Sequence, residues 1–426
     1  MSNRRISIVA AHLCLAFGLS APALAVTEVD FYHQLDHVRA EKLAGLIAQF
    51  NSQNKDYRIT LIQKAAGGEP AVLNLATPEN MEKFSESRAK FRPLYRVMAE
   101  AREKLDSKQF SPELRMDVAD AKGNMVALPL AMATPVLYYN KNAFRMAGLD
   151  PNKPPKTWWD VQDAAGKLRD AGLTCPYTTS WPSWIHIDNT SALNGSELSN
   201  AKGQLTFNGL IQVKHVALLA SWYKTSYFKY FGRRDEADRH FAAGECGMLT
   251  SGSAIAASLR QNPSLDIGVA PLPYYDDAYG APQSTLADGG SLWIGEGKKP
   301  AEYKAAAAFV KFVLAPETQV EITRLGGYLP MTPAARAVAS SKLLSVDLAG
   351  LNVAYAQLKK DSTAHPVRVS QIEPLRIIVD EEMESAWEGK KPAKEAMDTA
   401  VLRGNAMLAK VAAAETETKL AARRKK

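Results

Sequence analysis

A two-lobed α/β protein is predicted by three features of this 426-residue chain. Strand-like alternation and helix-like periodicity follow one another along it. Its length exceeds what one hydrophobic core comfortably holds. No single Pro/Gly-rich linker divides it, so the chain is expected to cross between the lobes more than once. With 46% apolar and 23% charged residues, the composition excludes disorder and collagen.

Residues 1–25 begin with Arg4 and Arg5, continue as an apolar run from Ile6 to Leu19, and end in Ala23-Leu24-Ala25. This is the layout of a secretory signal with a small-residue cleavage site. A membrane anchor is the alternative, but the run is shorter than the ~20 residues of a spanning helix. The expected mature chain is 26–426, exported from the cytoplasm. Export leaves Cys175 and Cys246 where disulfides persist. They either pair or stay as buried thiols on neighbouring strands.

The net charge of +7 is concentrated at the ends: without Arg4, Arg5, Arg423, Arg424, Lys425 and Lys426, 46 basic residues face 45 acidic ones. A nucleic-acid partner, which needs a basic stripe on a folded face, is not expected.

Val29 to Tyr32 reads as a strand, and Leu43, Leu46, Ile47 and Phe50 lie on one face of a following helix. Tyr57 to Ile62 and Ala71 to Leu75 then read as strands, giving the crossover that a parallel sheet needs. The run PVLYYN at 135–140 leads into a helix ending near Gly148, and Thr157 with Asp160 forms a capping box for a helix running to Gly172. A helix is expected over Ile211 to Trp222, a strand over Cys246 to Thr250 and a helix over Ala301 to Leu314. Late helices follow near Asp380 to Trp387 and Lys394 to Lys410, with a frayed basic tail. The expected lobes are 26–135 plus part of 265–340, and 136–264 plus parts of 341–426.

No catalytic or cofactor motif stands out, and none of the seven histidines sits in a zinc spacing. His33 and His37 are four apart, but His33 ends a strand and reads as a structural, hydrogen-bonded residue. Two small-residue runs fit an anion better than catalysis. Ser251, Gly252 and Ser253 follow a strand and precede a helical stretch, Ala254 to Arg260, so their amides can face an anion. Gly289 and Gly290 allow a backbone to approach a ligand closely. Tight turns are the alternative for both.

The segments TPVLYYNKNAFRMAGLDPNKPPKTW, WPSWIHIDN, GECGM, GGSLWI, GGYLPMT and RIIVDEEMESAWEGKKP, with the AMDTAVLRGN helix, span nearly the whole mature chain. Together they resemble the extracellular solute-binding proteins of ABC importers, in particular those that carry glycerol phosphates. The resemblance implies the periplasmic binding protein fold, with a ligand cleft between the lobes. It also implies delivery to two permease subunits and an ATPase, and a ligand such as sn-glycerol 3-phosphate or a glycerophosphodiester. It places Arg376, Tyr328 and Gly289 on the phosphate, with Ser251 and Ser253 bracketing a serine position that falls on Gly252. Trp181 and Trp184 match an aromatic pair at the ligand's organic end.

This chain departs from that pattern. Met132 and Ala133 stand where serines are expected, Thr77 near a glutamate position and Ala76 in place of an aromatic, and only QKAAGGEP remains of a longer tyrosine-bearing segment. A sugar or polyol stacked on Trp181 and Trp184 is therefore the rival ligand, and an exported phosphodiesterase the rival class. For Arg376 the alternative role is an i,i+4 pair with Asp380.

Overall fold

A computed structural model describes residues 26–424, except 36, 65–67, 78–79, 82–83, 85–87, 111, 116–117, 121, 343–344 and 359–371. The expected signal, 1–25, and the shortened region around Gly67 lie outside the described residues. Ten strands are described: β1 (Thr27–His33), β2 (Tyr57–Gln63), β3 (Leu73–Ala76), β4 (Phe91–Arg92), β5 (Leu128–Ala133), β6 (Pro135–Asn140), β7 (Tyr177–Thr179), β8 (Met248–Gly252), β9 (Ile267–Pro271) and β10 (Asp288–Gly295).

In the first sheet β1 pairs in parallel with β2 and β3, and the crossover is the helix His37–Gln53. That helix buries Leu43, Leu46, Ile47 and Phe50, the face its periodicity marks. β3 starts two residues later than expected because the Asn74 side chain bonds both backbone groups of Ala71 and turns the chain there. β10 returns from far along the chain and pairs antiparallel with β3, β4 and β5. The helix Pro300–Leu314 covers this sheet, with Phe309 edge-on to Phe31 and Phe50.

The second sheet runs β7-β8-β6-β9. Its inner strand β6 lies between β8 and β9 and is buried at all six positions, as a strand covered on both faces must be. Thr157 and Asp160 form the expected capping box on the helix Trp158–Asp170. Cys175 and Cys246 are disulfide-bonded, and β8 starts after that link rather than at Cys246. The helices Leu210–Lys224, Ile372–Trp387 and Ala393–Arg424 pack together beside this sheet. Ile372–Trp387 starts eight residues before the expected Asp380. The final helix runs to Arg424, where a frayed tail was expected.

The stretch 265–340 divides between the cores: β9 joins the second sheet and β10 the first. Three crossings between the cores are seen among the described residues. One crossing is Thr134 alone, between β5 and β6. Another joins β9 to β10, and the third joins the helix Pro300–Leu314 to the helix Ser345–Ala356, which packs on β6 and β9.

Candidate functional site

The crossings set several chain segments along one seam between the sheets. Gly289 pairs with Met132, and Asp288 with Ala133. A Cβ on Gly289 would lie 2.0 Å from the Ala131 carbonyl oxygen, so close strand approach requires glycine here. At the end of β8, the position of a Cβ on Gly252 lies 3.7 Å from Ala133 and 3.8 Å from the Trp184 ring. Gly327 takes φ 69°, and its own Cβ position would fall 2.3 Å from the Ala254 carbonyl oxygen. The Leu329 N–H donates to the Met132 carbonyl at 2.9 Å. Tyr328, half-buried, is thereby fixed between the end of β5 and the turn after β8.

Arg376 projects from the helix Ile372–Trp387 of the second core. Its Nη2 meets Asp288 at 2.6 Å and Asp188 at 3.4 Å, and its Nη1 meets Glu373 at 3.3 Å. Asp288 belongs to β10 of the first sheet, so this ion pair spans the seam. Glu373 also accepts from Arg234 at 2.6 Å, whose guanidinium lies 5.4 Å from the centre of the Trp181 ring. The Nε of Arg376 is buried and has no hydrogen-bond partner among the described residues.

Electrostatics at the cluster follow from burial. Burial works against the Arg376 charge, but Asp288, Asp188 and Glu373 outweigh it and hold the guanidinium protonated. Burial pushes the Asp188 carboxyl up to about 6 against the pull of Arg376. It raises Glu373 as well, opposed by Arg376 and Arg234. Three carboxylates thus face two guanidinium groups.

The tryptophans sit on a segment tied down from several sides. The Ser180 hydroxyl donates to Asp238 at 2.6 Å, the Trp181 N–H to the Arg234 carbonyl at 2.9 Å, and the Ser183 N–H to Asp380 at 3.0 Å. Trp181 itself is held at φ 54°, a conformation a bulky residue adopts only when its surroundings impose it. Residues Ser183–Asn189 then wind as a π-helix, a rare form that gathers at functional sites. It carries Trp184 and Asp188. Trp184 packs with Ile185, Leu193 and Leu272, and Trp181 lies against the same group.

Of the residues singled out in the sequence, Arg376, Gly289, Tyr328, Trp181 and Trp184 meet this seam. The two serines are engaged within the protein. Ser251 is fully buried with its hydroxyl beside Asp238, because alternation along β8 turns it away from the face that Gly252 shows to Trp184. Ser253 donates its N–H to the Thr134 carbonyl at 2.7 Å and accepts from the Thr134 N–H at 3.2 Å. The amide expected to face an anion is therefore used in the crossing, and the helical stretch behind it is a 3-10 turn, Ser253–Ile255, running into the four-residue helix Ala256–Leu259. Arg376 pairs one turn back with Glu373, not forward with Asp380, which is taken by the Ser183 amide. His33 is structural, as expected: its Nδ1 accepts from the Leu35 N–H at 3.1 Å.

Asp188, Asp288, Glu373 and Arg234 were missed in the sequence. Asp288 directly precedes the Gly289-Gly290 pair and Glu373 lies one turn before Arg376, and both signals were readable. Among the described residues, no group of three or more His, Cys, Asp or Glu side chains is arranged to hold a metal.

Comparison with known proteins agrees with this architecture. Residues 45–345 match the family described as bacterial extracellular solute-binding protein. The chain is 36% identical to the sn-glycerol-3-phosphate-binding periplasmic protein UgpB of Pectobacterium atrosepticum, over 94% of this chain and 96% of that protein. It is also 36% identical to the Salmonella typhimurium protein of the same name, over 93% and 96%. In fold it is similar to UgpB from Mycobacterium tuberculosis solved in complex with glycerophosphocholine. The TM-score there is 0.75 at 21% identity, covering 90% of this chain and 99% of that one. The GacH receptor of Streptomyces glaucescens gives a TM-score of 0.74 at 17% identity, over 89% and 98%. Two sheets joined by three crossings, a charged seam between them and these matches together place the chain in the family of bacterial extracellular solute-binding proteins.

Proposed function

We propose that this chain is the periplasmic substrate-binding component of an ABC importer, that it captures sn-glycerol 3-phosphate or a glycerophosphodiester, and that it delivers the ligand to a membrane complex of two permease subunits and an ATPase. The observation that carries this reading is the position of Arg376. Its guanidinium stands on the second core and touches Asp288 on the first, so a phosphate bound there would contact both lobes. A planar guanidinium suits phosphate oxygens, and its buried Nε offers a donor that no protein group uses. The names of the relatives support the same ligand class.

Binding would favour the closed arrangement through differential affinity, because only there do groups of both lobes reach one ligand. The protein acts as a receptor and changes no covalent bond. Extraction of the small molecules that co-purify with the protein from periplasm, followed by mass spectrometry, tests the assignment. Recovery of a glycerophosphate compound in near-stoichiometric amount supports it; recovery of a sugar in its place removes it. Release of free choline on incubation with glycerophosphocholine would restore the phosphodiesterase reading.

A second reading, a neutral sugar or polyol on Trp181 and Trp184, draws on one observation. Met132 and Ala133 give the seam no hydroxyl, and three carboxylates already occupy Arg376. In a thermal-shift screen it predicts stabilisation by sugars and none by organophosphates.

A further inference from the structure

The acid excess around Arg376 bears on which phosphate compounds the cleft takes. Asp288 makes the shortest of the contacts to Arg376, 2.6 Å against 3.3 and 3.4 Å, and is the one contributed by the first sheet. A phosphate reaching Nη2 must either displace this carboxylate or lie beside it. Asp288 has little freedom to withdraw. Its Oδ1 accepts from the Gly289 N–H at 2.7 Å, its backbone pairs with Ala133 in β5, and the adjacent Gly289 is pressed against the Ala131 carbonyl. Asp188 and Glu373 come from the second core and add to the negative field. At contact distance each unit of ligand charge meets that field separately, so a dianion is repelled about twice as strongly as a monoanion. Among the described residues, Nε of Arg376 is the buried donor of this cluster that has no hydrogen-bond partner.

From this geometry we infer that Asp288 is a specificity-determining residue: it competes internally for Arg376, turning the cleft away from doubly charged phosphomonoesters and toward singly charged phosphodiesters. The inference rests on the organophosphate reading above and narrows it.

The test is calorimetric titration at pH 8, where a phosphomonoester is fully dianionic, of wild type, Asp288→Asn and Asp288→Glu with sn-glycerol 3-phosphate and with glycerophosphocholine. Asparagine keeps the Oδ1 acceptor for the Gly289 N–H, and a melting curve of each variant checks the fold. Wild type is expected to bind the diester more tightly. In Asp288→Asn the preference should fall about tenfold, mainly through tighter binding of the monoester, and Asp288→Glu should restore it. A preference unchanged within about twofold in a folded Asp288→Asn protein, with both ligands bound, overturns the role of Asp288 and leaves the organophosphate reading standing. Failure of wild type to bind either compound overturns the organophosphate reading, and this inference with it.

Discussion

Thr134 and Ser253 exchange two hydrogen bonds at the point where the chain leaves the first sheet for the second: the Thr134 N–H donates to the Ser253 hydroxyl, and the Ser253 N–H to the Thr134 carbonyl. The Thr134 hydroxyl donates onward to the Ala354 carbonyl at 3.3 Å. A one-residue crossing is thus pinned to β8's end and to the helix Ser345–Ala356. Replacing Ser253 by Ala leaves the buried Thr134 N–H without its acceptor. A loss of about 1–3 kcal/mol is expected in urea denaturation. An unchanged midpoint would mean that the hydroxyl does not hold the crossing.

Gly289 and Gly252 should respond oppositely to added side chains. Gly289→Ala drives a methyl into the rigid Ala131 carbonyl, so β5 and β10 must separate. A cost of about 2 kcal/mol or more is expected, together with lost binding. Gly252→Ser meets only ordinary contacts with Ala133 and Trp184. It should fold with a penalty below about 1 kcal/mol, and it places a hydroxyl on the face shown to Trp184. Tighter binding of sn-glycerol 3-phosphate by this variant, read by calorimetry, is the expected result.

The disulfide closes a loop with a sequence separation of 71 residues. In the chain-entropy account, its removal in Cys175→Ala/Cys246→Ala costs about 4 kcal/mol. The check is a denaturation curve of that variant beside wild type, with and without reductant. Reductant should shift only the wild type.

Burial pushes the Asp380 carboxyl up to about 8 and that of Asp238 to about 7, against the hydrogen bonds from Ser183 and Ser180. Raised carboxyl pKa values mean that the folded protein keeps protons the unfolded chain releases above about pH 4. Their contribution to stability is therefore complete below that pH and is lost as pH rises toward 7 or 8. His186 and His215, kept neutral mainly by burial, act the other way: their contribution is complete above about pH 6.5 and is lost as pH falls. Between pH 6 and 8 the carboxyls prevail, and wild type should lose about 2 kcal/mol. Asp380→Asn, which keeps the acceptor for the Ser183 N–H, should remove most of that fall. A slope unchanged by the substitution would show that Asp380 ionises normally.

Local pattern made the scaffold readable. The Leu43, Leu46, Ile47 and Phe50 face, the Thr157–Asp160 capping box and the apolar run of β6 up to Tyr139 each state their structure within a few residues. The return of β10 beside β3 was not readable, because β3 lies more than 200 residues earlier and nothing in DGGSLWIG names it. The same holds for the site. Arg376 and Gly289 could be marked by resemblance, but the acids around Arg376 come from positions 188, 288 and 373, and only folding assembles them. Ser251 illustrates a readable signal that was missed: on a strand whose Gly252 faces the cleft, its neighbour must face away.

The role of Arg376 is open to direct measurement by titrating wild type and Arg376→Ala with sn-glycerol 3-phosphate and glycerophosphocholine in a calorimeter, with melting curves to confirm that both proteins are folded. The account predicts saturable binding of at least one compound by wild type and a loss of about a hundredfold or more in the variant, as removal of a buried charged donor entails. Equal affinity in the two folded proteins would contradict it.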